Sequence, residues 1–164
     1  MRAPILNDPA ASKTAHYSRL AVEIDAVLEG EQNHVAQMAT VAAMLSAEFE
    51  GFFWTGFYCV DASRERELVV GPYQGTLGCL RIAYGRGVCG VAAERRETLI
   101  VPDVDAFPGH IACDSRSRSE IVVPVIDAAG DLLAVLDVDS TDLAAFDQDD
   151  AVGLQTILRS VFGR

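Results

Sequence analysis

Apolar residues recur at helical spacing twice near the start of the chain. Leu20, Ile24 and Val27 form one stripe that Gly30 stops, and Val35, Met38, Ala42, Leu45 and Phe49 form a second that ends before Gly51. The period then drops to two. Residues 52–60 are aromatic-rich and alternate as a strand, residues 61–66 make a polar turn, and residues 67–70 return as the next strand. Glycines punctuate residues 71–90 around a short strand near Leu80-Arg81-Ile82. A brief helix from Val88 to Arg95 and a strand over residues 98–101 come next. Residues 102–118 are a long polar loop, and loops of that length within a compact domain commonly carry function. Two strands flank the turn Asp127-Ala128-Ala129-Gly130. Asp147 then caps a last helix that carries Asp149 and Asp150 in its first turn and runs to about Phe162. The order predicts an α+β fold in one domain over residues 15–164, after an arm over residues 1–14. Its antiparallel sheet of about six strands is flanked by N-terminal helices and a C-terminal helix.

Alternation along the strands separates two kinds of face. In the last strand Leu132, Ala134, Leu136 and Val138 share an apolar face, whereas Leu133, Val135, Asp137 and Asp139 share the other. Two carboxylates therefore emerge side by side from an otherwise apolar strand. A hairpin turn centred on Ala128-Ala129 pairs Glu120 with Asp137, and one centred on Ala129-Gly130 pairs it with Asp139. Either register adds Glu120 to the acidic face. Three acids crowded together repel, so at least one has a raised pKa and can keep a proton near neutral pH to give to a leaving oxygen. A solvated sheet edge or a cation site is the plainer alternative. In the aromatic strand Trp54, Gly56 and Tyr58 share one face, opposite Phe53, Thr55, Phe57 and Cys59. Two large rings with a gap between them can wall a small apolar pocket. Cys59 among phenylalanines reads as a buried, inert thiol.

Composition narrows the function. The formal charge of −11 opposes nucleic acid and anionic membranes as partners, and the arginines form no basic stripe interleaved with aromatics. No apolar run approaches a membrane span, and the first residues show no secretory leader, so a cytoplasmic protein is expected. There, cysteines serve catalysis or sensing more than structure. Cys79, Cys89 and Cys113 all lie in glycine-rich or polar stretches. Cys113 is the best nucleophile candidate: it sits in the long loop near His110, Arg116 and Arg118, which can stabilise a thiolate, although Asp114 opposes them. His110 reads as a loop residue that orients that thiol or faces solvent.

Two other readings of these segments fail. Gly85-Arg86-Gly87-Val88-Cys89-Gly90 matches the dinucleotide fingerprint in spelling, but only a short helix fits before the next strand, where a long crossover helix between parallel strands is required. A helix N-terminus able to hold a small carboxylate is the better reading. His110, Cys113, Cys79 and Cys89 could formally ligate zinc, but they lack a closely spaced Cys-x(2–4)-Cys pair, so no metal is expected.

Together, Trp54-Thr55-Gly56-Phe57-Tyr58, Gly71-Pro72-Tyr73-Gln74-Gly75, Gly85 to Gly90, Gly109-His110-Ile111-Ala112-Cys113-Asp114, Ser119-Glu120-Ile121-Val122 and Leu136-Asp137-Val138-Asp139-Ser140 closely resemble the free methionine-(R)-sulfoxide reductases, enzymes built on a GAF domain. The resemblance covers about residues 15–160 and includes the spacing of ten and then twenty-four between the three cysteines. It implies an enzyme that reduces the R epimer of free methionine sulfoxide. It further implies that Cys113 is the nucleophile, Cys79 the resolving cysteine and Cys89 an auxiliary thiol lining the site. Glu120, Asp137 and Asp139 would be the substrate-holding and proton-donating acids, with Trp54, Tyr58 and Val88 completing the pocket. No bound cofactor is implied. Thioredoxin or another dithiol would be the external reductant, and a homodimer is one assembly the family resemblance admits. Residues 61–67 and the turn near Ala129 depart from the family pattern in length only. The competing class is a GAF module that senses a small molecule or oxidation without turnover.

Overall fold

The computed structural model describes residues 12–164, so the first eleven positions of the expected N-terminal arm lie outside the described residues. Ser12 caps the first helix, α1 (Lys13–Val27), by accepting a hydrogen bond from the Ala15 N–H, and Asn33 does the same for α2 (His34–Glu48). The buried stripe of α1 is Tyr17, Leu20 and Ile24, continued by Leu28 just past its end. Val27 is 63% exposed and Val35 of α2 is 65% exposed, against expectation. The reason in α1 is rotational. Leu28, four residues after Ile24, completes the stripe, and Val27 falls beside it.

The described residues then form β1 (Trp54–Val60), β2 (Glu67–Gln74), β3 (Arg81–Ala83), α3 (Gly87–Arg95), β4 (Leu99–Val101), a 3-10 turn (Val104–Ala106), β5 (Ser119–Ile126), β6 (Leu132–Ser140) and α4 (Gln148–Phe162). One antiparallel six-stranded sheet results, in the order β3-β2-β1-β6-β5-β4. This places β1, with its aromatics, beside β6, with its acids. β2 runs four residues further than the alternation suggested. It does so through a bulge: Gly56 pairs with Tyr73 and Tyr58 with Val70, leaving Gly71 and Pro72 opposite Phe57. Proline lacks the N–H that a ladder needs and is tolerated at such a bulge.

The two faces of the sheet are covered differently. α2 packs on β1 and β2, α4 packs on β5, and α1 lies against both helices. This side holds the main core of Ile24, Leu45, Phe57, Ile121, Leu136 and Leu154. Asp147 caps α4 through a reciprocal capping box with Asp150. Among the described residues the opposite face is covered only by the short α3 and by loops. Its cluster centres on Trp54, Tyr58, Val88, Cys89, Val122 and Val135. The alternation read along β6 holds from Ala134 onward but not before it. Val125 pairs with Ala134 while Ile126 pairs with Leu132, so Leu133 is an inserted residue that flips Leu132 onto the second face.

Candidate active site

In the hairpin of β5 and β6 Glu120 lies opposite Asp139 and Val122 opposite Asp137, the second of the two expected pairings, reached through the extra residue Leu133 and not through the turn alone. Opposed residues share a face, so all three carboxylates point into the cavity beneath α3. Glu120 and Asp137 are each only 5% exposed, whereas Asp139 is partly exposed. Burial, reinforced by the neighbouring Asp139 charge, pushes Glu120 up to about 8. Burial also drives Asp137 and Asp139 well above the carboxylate range, with Glu120 adding to the shift of Asp137 and Asp137 to that of Asp139. The Oδ1 of Asp137 is buried without a hydrogen-bond partner.

Cys89 and Cys113 line the same cavity. Cys79, on the loop after β2, and Cys113, in the loop before β5, are joined in a disulfide with their Cα atoms 5.5 Å apart. Cys113 is exposed and Cys79 half-buried. The Thr76 hydroxyl donates to Asp114 Oδ2 at 2.8 Å and ties the two loops together. Arg116 does not serve the Cys113 sulfur as the sequence suggested. It grips Asp114 with Nε at 3.0 Å and Nη2 at 2.8 Å, holding that carboxyl well below its usual range, and lies over the Phe53 ring. Cys89, in the first turn of α3, is 4% exposed, with Sγ 3.9 Å from Glu120 Oε1. Burial, then the charges of Asp137 and Glu120, push its thiol up. Cys59 lies on the helix side against Met38, and burial raises its pKa as well.

Trp54 and Tyr58 stack at 5.5 Å, and Tyr73 of β2 adds a third ring at 5.1 Å from Trp54. Gly56 makes this possible: a Cβ there would come within 2.2 Å of the Tyr73 Cβ. The indole N–H donates to the Thr76 carbonyl at 2.9 Å, so the ring is locked against the loop that carries Cys79. Above the rings, α3 starts at Gly87 with no side-chain cap, and Gly87, Val88 and Cys89 of its first turn line the cavity. The glycine spacing of this segment has a local cause unrelated to nucleotides. At Gly90 a Cβ would meet the Ala83 carbonyl oxygen at 2.3 Å, so only glycine lets the helix sit this close to β3.

Cys89, Glu120 and Asp137 place one ligand atom each within 4.8 Å of one another, which suits a cationic group. The alternative zinc set is not assembled, because Cys79 and Cys113 are bonded to each other. Sequence reasoning missed Tyr73 and Thr76, whose roles depend on the bulge and on loop contact. It also missed the turn of His110 toward the acids, with Nε2 at 3.5 Å from Glu120 Oε2.

The GAF domain model matches residues 23–161. The chain is 51% identical over 148 residues to GAF domain-containing protein A of Dictyostelium discoideum, covering 90% of this chain and 91% of that one. It is 38% identical to the free methionine-R-sulfoxide reductase of Saccharomyces cerevisiae, over 87% of this chain and 82% of that one. The crystal structure of the Neisseria meningitidis free methionine-R-sulfoxide reductase, in complex with its substrate, superposes with a TM-score of 0.88 at 47% identity, covering 98% of this chain and 93% of that one. The chain belongs to the free methionine-(R)-sulfoxide reductase family of GAF-domain proteins.

In this family member the buried acids make stability depend on pH with a definite sign. The unfolded chain releases the Glu120 proton near 4.5, and the native state near 8. Between those values the native state binds more protons, so stability falls as pH rises, by up to ~1.4 kcal/mol per pH unit for each such group. Melting temperatures of the free protein should drop from about pH 5 to about pH 8. Glu120→Gln, with no proton to release, should make the drop shallower, and an unchanged slope would mean that Glu120 ionises like an exposed acid.

Proposed function

We propose that the protein is a thiol-dependent reductase of free L-methionine (R)-sulfoxide. The observation that carries this reading is the meeting of the Cys79–Cys113 pair with three proton-retaining carboxylates in one cavity walled by aromatic rings. In the reduced form the Cys113 thiolate attacks the sulfoxide sulfur. Glu120, Asp137 or Asp139 protonates the departing oxygen, which ends on the cysteine: methionine sulfur gains two electrons, Cys113 loses two, and a sulfenic acid remains. The Cys79 thiol condenses with it, releasing water and forming the disulfide present in the structure. An external dithiol, for which thioredoxin is our assignment, then reduces that disulfide, and the exposure of Cys113 gives it access.

Discrimination for the free amino acid follows from charge. The acids suit an ammonium group, and the first turn of α3 suits a carboxylate. A methionine within a peptide has neither charge. Among the described residues no helix is long and apolar enough to cross a membrane, and the cytoplasm is the compartment this chemistry fits.

The test is turnover of racemic free methionine sulfoxide with thioredoxin or dithiothreitol, following methionine by chromatography. Consumption should stop at about half of the substrate, leaving the S epimer, because a rigid pocket places only one arrangement of lone pair, oxygen and methyl before the thiolate. Consumption of both epimers would reject the stereochemical assignment. No consumption at all would leave a sensing GAF module as the better reading.

A further inference from the structure

One titratable ring in the cavity has no part in the chemistry so far. His110 lies three residues before Cys113, in the loop between the 3-10 turn and β5. Its Nε2 is 3.5 Å from Glu120 Oε2, and its side chain is 13% exposed against 6% for that of Glu120. The ring thus touches the enclosed acid while keeping part of its surface in water. Two other neighbours of Glu120, Cys89 and Asp137, are buried.

This inference rests on the reductase reading. In each cycle an acid of the cluster gives a proton to the sulfoxide oxygen and must be recharged before the next. We propose that His110 is the proton-delivery residue of this site, taking a proton from water at its outer nitrogen and passing one from Nε2 to the Glu120 carboxylate. No electrons move in this step. The proton leaves water, crosses the ring and ends on Glu120, and the ring returns to neutral.

The electrostatics suit an intermittent carrier. Among the described residues, Glu120 of β5 lies 3.5 Å from the ring nitrogen and Asp105 of the 3-10 turn acts on the ring through its charge. Burial lowers the His110 pKa, against which Asp105 works, so with Glu120 protonated the ring rests neutral. Once Glu120 has given up its proton, its new negative charge favours the imidazolium. The ring is therefore driven to take up a proton when the acid lacks one. The sequence left His110 either orienting the Cys113 thiol or facing solvent; the geometry pairs it with the acid.

The test compares wild type with His110→Gln, which keeps a polar side chain that cannot titrate, and His110→Ala, which leaves room for added imidazole. In His110→Gln the first methionine per chain should appear at near the wild-type rate, because Glu120 begins protonated. Steady-state turnover with saturating dithiothreitol should fall at least about tenfold, with the separately measured disulfide reduction unchanged. Imidazole should restore most of the loss in His110→Ala, and His110→Gln should add nothing in a Glu120→Gln background. Wild-type turnover is the control for the reductase reading itself. If wild type turns over and His110→Gln stays within twofold of it, or if folded His110→Ala gains nothing from imidazole, the proton-delivery role is overturned.

Discussion

Cys113→Ser will abolish the release of methionine from free methionine sulfoxide, including the first equivalent. The attacking group must be a thiolate, and a serine hydroxyl is essentially un-ionised near neutral pH and forms no counterpart of the sulfenic acid. Neither remaining thiol can stand in. Cys79 does not line the cavity that holds the acids, and Cys89 is enclosed beside Glu120 and Asp137, with its thiol held protonated by burial and by their charges. Cys79→Ser separates the steps. It should release about one methionine per chain in a single turnover and then recycle poorly with thioredoxin, because the sulfenic acid has lost the thiol that condenses with it. The measurement is methionine per chain against time, with and without reductant. Multiple turnovers by Cys113→Ser would move the nucleophile elsewhere.

Removing acidity from the β5–β6 face should be the next largest defect. Glu120→Gln, Asp137→Asn and Asp139→Asn keep the shape of each side chain and remove its charge and proton. At least one should slow single-turnover methionine release by ~100- to 10,000-fold, the range a positioned general acid contributes. Disulfide reduction should be spared, since no carboxylate takes part in that exchange. With Glu120 near 8, the sulfoxide step should also weaken as pH rises through that value in wild type, and this limb should vanish in the variant that removes the donor. Near wild-type rates in all three variants at every pH would leave the carboxylates without a chemical role.

Parts of this site were legible before any coordinates because strand alternation is a local property. Asp137 and Asp139 share a face whatever surrounds them, and both registers open to the hairpin carried Glu120 to the same side. Trp54, Gly56 and Tyr58 followed in the same way. The capping of α4 was equally local, since Asp147 and Asp150 satisfy each other across three residues. The pairing of Cys79 with Cys113 came from family resemblance and not from spacing, because loop residues 34 apart carry no periodic signal that joins them.

What the sequence by itself determined was the helix and strand inventory and the composition of the strand faces away from the β6 bulge, both set by neighbours a few residues away. The tertiary structure alone decided which face met which. It set β1 beside β6, chose the register that opposes Glu120 to Asp139, and inserted Leu133 to flip Leu132 across the sheet. It also drew Arg116 away from the thiol to Asp114 and turned His110 onto Glu120. These outcomes rest on long-range packing and on competition among charged groups for partners, and neither leaves a period in the chain.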